Sequence, residues 1–539
     1  MRFLATLSLV SAVAMPLVAQ HAEHVPAMPP ATLDSGLSDL HWAVSTSNAG
    51  AQQFFDQGMR YLYAFNHEQA VRSFQHATEL DPNLALGYWG AALALGPNIN
   101  MDVDPPREQQ AYASVQSALA HQEHASAKER DLIAALQKRY SNDASADLRK
   151  LAIDYSDAMK TVSAKYPDDA NIATLYAESL MDLRPWKFWS HDGKANEGTD
   201  EIVSVLESVL KREPRHIGAN HYYIHAVEAS SHPERALASA KRLETLAPAA
   251  GHLVHMPAHI YQRTGNYAGA ARANELAADV DRDFIKRNGG ENMYTAMYYN
   301  HNLQFGSASN AMIGRYVPAK AQADEMAKNA APMLKEMPIL ESIVAAPLLI
   351  SARFARWTDV LRAPPIDAGP LSSVYSHFAR GVAFARLGNV SGAESEAKAL
   401  EASRAKLGDE PGVLQNPPKP LAEVAARVLA GRIAEARGDR EAAIAEYRKG
   451  VDADDALNYD EPADWFYPTR ETLAGALLRG GRAAEAEQIF RADLAKNPHN
   501  PRSLWGLAQS LRAQKKDATK ESAEFRNGWK GAALTLADF

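Results

Sequence analysis

Cysteine is absent from all 539 residues. Without a thiol the chain has no disulfide, no thiolate metal site, no iron–sulfur cluster, no cysteine nucleophile and no lipidated cysteine. A basic excess is missing too. The 57 Lys+Arg stand against 65 Asp+Glu, a net charge of −8, so the cationic surface that general nucleic-acid binding needs is lacking. Beyond the first twenty residues no stretch approaches the ~18 uninterrupted apolar residues of a membrane span. Strand-like alternation is nearly absent. The phosphate-binding GxxxxGK, the GxSxG elbow and a GxGxxG with its acidic partner are not found. What remains is 46% hydrophobic and 23% charged, the balance of a folded chain. It is too long for one ordinary core and implies three or four units, unless one repeat runs through it.

Residues 1–19, MRFLATLSLVSAVAMPLVA, place Arg2 ahead of a short apolar run and small residues. This is the layout of a secretory signal peptide, with Ala14 and Ala19 as alternative cleavage points. It predicts export, to the periplasm or out of the cell, and no stable membrane span after cleavage. Residues 20–50 carry Pro26, Pro29, Pro30, His21, His24 and His41 without an apolar period, and read as a flexible leader. His21 and His24 with Met28 offer a weak copper-binding set there, against the plainer reading of a disordered remnant.

From residue 51 a period emerges. In AQQFFDQGMRYLYAFNHEQAVRSFQHATELDPNL, numbered from Ala51, Gly58 takes position 8, Tyr61 11, Ala70 20, Phe74 24, Ala77 27 and Pro82 32. Small residues at 8 and 20 let two helices approach, the aromatics fill the space between, and proline stops the second helix. The frame returns from Ile217, Gly251, Val374, Val424 and Tyr467, with Gly265, Gly388, Gly438 and Gly481 marking inter-helix turns. Weaker copies start near Leu183, Asn300 and Glu341, and a half-repeat follows Pro501. Ser126 and Glu129 read as a capping box opening a helix within 85–182. The pattern resembles the tetratricopeptide repeat, a 34-residue helix–turn–helix, and implies an all-α solenoid with a concave groove: an N-terminal and central part over 51–345 and a C-terminal part over 346–539. It is interrupted at 97–108, 184–199 and 280–299, and insertions in a solenoid map to loops on one face, often the binding face.

Histidine clusters in register with this repeat. NHYYIHAVEASSH carries His221 and His225, and GHLVHMPAHIY carries His252, His255 and His259. His221 and His255 both take position 5, and His225 and His259 both take position 9, each pair 34 residues apart. Residues i and i+4 share one helix face, so four imidazoles from adjacent first helices are expected to converge. In the tetratricopeptide family the stripe at positions 2, 5, 9 and 12 lines the groove. That resemblance adds His252 and His301 at position 2 and Glu228 at position 12. Imidazole with an occasional carboxylate suits Cu, Zn, Fe or Ni. Two other readings stay open: histidines hydrogen-bonded to Tyr222, Tyr223, Tyr261 and buried carbonyls, or a groove for an anionic or peptide ligand. Glutamate does not follow the first histidine of either HxxxH pair, so the zinc-peptidase HExxH is absent.

The stretch from NHYYIHAVEAS through GHLVHMPAHIYQRTGNY, with AFNHEQAVRSF before it and WFYPTRETLAGALLRGGRAAEAE after it, resembles a family of exported bacterial tetratricopeptide-repeat proteins. The resemblance covers most of the mature chain and implies architecture rather than chemistry. Trp186, Phe188 and Trp189 are candidates for an aromatic lid or for loop packing. Trp465, Phe466 and Tyr467 read as core. The acidic run Asp452, Asp454, Asp455, Asp460, Glu461 and Asp464 reads as a solvated loop, against the alternative of a patch that meets a cation or a basic partner. Two functions of different classes follow. The first and favoured is an exported scaffold holding a protein segment or peptide in its groove. The second is a metalloprotein or metalloenzyme binding Cu, Zn or Fe through His221, His225, His252, His255, His259 and His301, with Glu228 as the candidate acid or base.

Overall fold

The computed structural model describes residues 31–288, 294–408 and 415–539. Among these residues there is no strand, only the isolated bridges Asn98–Met101 and Trp189–Ala195. Antiparallel helix pairs succeed one another from Ala49–Leu62 with His67–Leu80 to Pro501–Ala513 with Thr519–Gly528. The chain is therefore an all-α solenoid of the tetratricopeptide type. No described helix is long and apolar enough to cross a membrane.

The local reasons are those of the repeat. A Cβ placed on Gly58 or Gly90 would lie 2.5 or 2.6 Å from ring carbons of Phe74. The bare backbones of two first helices thus make the slot that the second helix fills with its aromatic ring. Asn48, Asn66, Asp104, Asp147 and Asp169 cap their helices through side-chain oxygens, and Ser126 with Glu129 forms the expected capping box. The residue at position 15 turns left-handed in repeat after repeat: Gly265, Gly314, Gly388, Gly438 and Gly481, but also Phe65, Ala355 and Lys515.

Two expectations change. The weak copy near Leu183 is misframed: its first helix is Ala170–Met181, its second is Thr199–Arg212, and the inserted loop lies between them. The leader 20–50 is not loose over its described part, because Leu37 and Trp42 are buried against the first hairpin and His41 pairs with Asp56 at 2.7 Å. The signal-peptide segment 1–19, with His21, His24 and Met28, lies outside the described residues. Trp465 joins the core as expected, 5.1 Å from Phe378 between ring centroids.

A buried ion network ties the C-terminal hairpins together. Glu471, 1% exposed, accepts from Arg353 at 2.5 and 3.0 Å, from Arg502 at 2.8 Å and from Asn500 at 3.0 Å. Burial alone would raise this carboxyl, but the two guanidiniums override it and hold it at about 2. Removing one partner would strand buried charge, so Glu471→Ala is expected to destabilise the C-terminal repeats by about 3–5 kcal/mol. The carboxylate's contribution is complete above its unfolded value near 4.5 and is lost as pH falls toward about 2. Urea titrations of wild type and variant should therefore differ most at pH 7 and converge below pH 3.

Candidate metal centre

The helix Ile217–Glu228 is buried on every side. It carries His221 and His225 toward the next first helix, which breaks in two at Met256–Pro257 as Gly251–His255 and Pro257–Arg263. Pro257 has no N–H to give the ladder, so the break is local and chemical in origin. His255 and His259 straddle it, yet their Nε2 atoms still meet at 2.8 Å. His301 enters from Asn300–Met312, just after one wide π-helical turn at Thr295–Tyr299, a feature that recurs at functional sites. All six histidines converge in two sets. The donor atoms of His221, His225 and His252 lie within 4.8 Å of one another, and so do those of His255, His259 and His301.

The outer nitrogens fix the inner ones. His221 Nδ1 faces the Tyr63 carbonyl at 2.7 Å, His225 Nδ1 faces Glu228 Oε1 at 2.8 Å, and His259 Nδ1 faces Glu228 Oε2. His255 Nδ1 lies 2.6 Å from Asn274 Oδ1, and the Asn274 amide is oriented by donating to the Ala270 carbonyl at 2.8 Å. Each of these partners only accepts, so each Nδ1 carries the proton and each Nε2 turns a lone pair inward. His252 Nε2 approaches His221 Nε2 at 3.0 Å, while the buried His225 Nε2 has no partner. This is the arrangement of ligating imidazoles whose far N–H is held by a carboxylate, amide or carbonyl.

Electrostatics agree with neutral ligands. Burial first, and neighbouring imidazoles next, drive His252 and His255 well below the usual range and His301 down to about 3. His221 is likewise driven well below, and His225 is lowered chiefly by burial. His259 differs: burial disfavours its charge, but Glu228 outweighs burial and raises it. Burial would also raise Glu228, yet His259 and His225 hold it below the ordinary carboxylate range.

Beside the histidines lies a cavity of about 240 Å³, and His225, His252, His259 and His301 all reach its wall. Each of the three interruptions in the repeat supplies lining: Ile99 and Met101, Trp186, and Met297 with Tyr298. The aromatic insertion both packs and covers, since Trp189 Nε1 donates to the Ala226 carbonyl at 2.7 Å and Trp186 stands edge-on to His225 at 5.4 Å. Phe65 sits at 5.4 Å over His252 and 4.4 Å from His221. Its φ is 55° and that of Trp186 is 61°. At Phe65 a bulky residue occupies the turn position that five other repeats give to glycine. Strain of order 1–3 kcal/mol at each position is held where it places an aromatic ring on an imidazole.

The C-terminal half closes the site. The expected solvated acidic loop is instead partly buried, with Glu461 5% exposed and Asp460 and Glu461 on the cavity wall. The Tyr459 hydroxyl lies 2.7 Å from Glu461 and 3.3 Å from Glu228, under the Arg263 guanidinium at 5.4 Å from its ring. Burial raises Glu461 to about 7. Glu228, the candidate acid or base, spends both oxygens on imidazoles, whereas Glu461 faces the open space. Phe65, Asn274 and Tyr298 carry no site assignment from the sequence, and Glu461 enters there only as a member of the acidic run. Only Asn274, in phase with the second helix of its repeat, and the acidic run around Glu461 left any signal there.

No family model matches the chain, and no curated protein matches it. Among solved structures it is similar to the human IFIT1 dimer with m7Gppp-AAAA, at 12% identity over 90% of each chain and a TM-score of 0.33. It is similar to the APC/C hetero-tetramer Cut9–Hcn1, at 11% identity over 89% of this chain and 76% of that one, with a TM-score of 0.33. Yeast Tom70 follows at 11% identity over 87% and 90%, with a TM-score of 0.29. At these scores the likenesses carry no argument, and the architecture rests on the chain's own hairpins.

Histidines held neutral by burial cost stability when acid drives the unfolded chain to bind protons first. For His67 and His216, lowered to about 4, and His301, at about 3, the unfolded state takes up protons below about 6.5 while the folded state does not. Stability therefore falls with pH below that value. The Tm of metal-free protein is expected to drop continuously from pH 7 to pH 4.5. A flat profile over that range would contradict neutral buried imidazoles.

Proposed function

We propose that the protein is an exported helical-repeat metalloprotein that binds a transition metal, Cu, Zn or Fe, through five buried histidines and the half-buried His301, and presents it to a small molecule in the adjoining cavity. One observation carries this reading: the Nε2 atoms of His255 and His259 stand 2.8 Å apart while Asn274 and Glu228 hold both Nδ1 protons outward. Two inward lone pairs at that distance repel; the proton that Glu228 favours on His259, or a metal ion in that proton's place, removes the conflict. His301 supplies the third ligand of that set. Three imidazoles leave a position open, as catalytic metal sites do.

The geometry reorders the two functions expected from sequence. Beside the histidines the concave face is shared with a C-terminal segment: the Tyr459 hydroxyl reaches Glu228 at 3.3 Å, and Asp460, Glu461 and Pro462 line the cavity. The cavity of about 240 Å³ is slightly smaller than the roughly 300–1,000 Å³ of drug-sized ligand pockets and so suits a small molecule. Ligation without thiolate also suits an oxidising compartment, in keeping with the exported reading of residues 1–19. Protein binding elsewhere on the solenoid is compatible with this centre but is not what the centre is built for.

Elemental analysis of protein purified without a His tag or chelating resin should find at least one equivalent of Cu, Zn or Fe. The His255→Ala/His259→Ala variant should lose it with helicity intact. Metal-free protein that also refuses metal on reconstitution would end this reading. Glu228→Gln should keep the fold and lower metal affinity about 10–100-fold, because the carboxylate orients two ligands at once. Competition titration against a chelator measures that loss.

A further inference from the structure

The repeat writes the histidine set twice. His221 and His225 occupy positions 5 and 9 of the repeat that begins at Ile217, and His252 is position 2 of the repeat after it. His255 and His259 occupy positions 5 and 9 of the repeat that begins at Gly251, and His301 is position 2 of the repeat after that, which begins at Asn300. These are two of the three groups whose donor atoms lie within 4.8 Å of one another, and they share no residue; the third, His225, Glu228 and His259, takes one imidazole from each and joins them. One step along the solenoid thus carries the first set onto the second. The insertion before Asn300 changes the spacing in sequence from 27 to 42 residues between the last two ligands, yet the third imidazole arrives in the same place.

The two sets are in contact. His225 and His259 rings lie 5.3 Å apart, and His252 and His255 rings 5.7 Å apart. Glu228, at position 12 of the first repeat, uses one oxygen on His225 of the first set and the other on His259 of the second. The corresponding position one repeat later is Gln262, so a single carboxylate serves both sets. The first set has its own unmet demand: His225 Nε2 and His252 Nδ1 are buried without a partner, in side chains 2% exposed. Both of these residues, with His259 and His301 of the second set, wall the same cavity.

Resting on the metalloprotein reading, we infer that the centre is dinuclear. Each ion takes three imidazoles from one repeat interface, and the open positions of both face the same cavity, where a small oxygen- or nitrogen-donor ligand can touch the two ions together. An all-imidazole set with no anionic ligand leaves each divalent ion its full charge, so an anion such as hydroxide is the natural bridge. Six imidazoles about a single ion would instead fill its coordination and leave nothing to the cavity.

Cu(II) titration of metal-free full-length protein, followed by EPR and elemental analysis, tests the pair. Two equivalents should bind, and the signal per copper should broaden or fall as the second site fills, because the ions are neighbours. His252→Ala and His301→Ala, each checked for native helicity, should each bind one equivalent and give an unbroadened single-ion signal. Two parallel variants keep the test decisive if one of them fails to fold. Saturation of the wild type at one equivalent would overturn the pair while leaving a metal centre, and two independent, unbroadened signals would overturn their adjacency. No binding at all would overturn the metalloprotein reading itself.

Discussion

Lone pairs that face one another in a dry interior repel, and the middle of this molecule is organised around that repulsion. The Tyr63 carbonyl, Glu228 and Asn274 draw the Nδ1 protons of four imidazoles outward, which leaves their Nε2 atoms turned inward. Elsewhere in a protein a second proton or a water would relieve such a contact. Here burial and the mutual proximity of the rings resist protonation of all but His259. The surrounding scaffold is what makes the arrangement tolerable, since it buries the rings too firmly for them to turn away.

That scaffold contributes in two ways. Its step supplies translation, which puts chemically equivalent side chains side by side without any new fold. Its curvature brings distant segments back, so that the loop at 459–462 lies over histidines more than two hundred positions earlier in the chain. The three interruptions of the repeat all reach the cavity wall. A solenoid can accept insertions between helices without losing the stacking of its neighbours, and these insertions supply part of the wall of the cavity beside the histidines.

Local costs concentrate at the same place. Phe65 and Trp186 are held left-handed beside the imidazoles, and the Pro257 break interrupts a helix between two candidate ligands. Stability is supplied away from the centre, by ring-in-slot packing such as Phe74 between Gly58 and Gly90 and by the Arg353–Glu471–Arg502 network. A strained, polar interior set in a well-packed frame is the expected distribution where a site must keep a geometry its own contacts would not choose.

Much of this was legible in the chain. The 34-residue spacing of small and aromatic residues indicated the hairpins, and the spacing of His221, His225, His255 and His259 indicated that these four would meet, because helix pitch and repeat length are local quantities; His252 and His301 entered through the resemblance to the repeat family's groove stripe. The reading slipped at Leu183, where an inserted loop separates the two helices of one repeat and shifts the frame. Glu461 is buried although its acidic run suits a solvated loop, since such a run carries no mark of what will fold over it. Which nitrogen faces inward, which carboxylate is consumed in orienting ligands and which faces open space were decided only by the tertiary structure. So was the meeting of residues 459–462 with the central repeats, because the path of a superhelix sums small rotations over many repeats and no single segment encodes the sum.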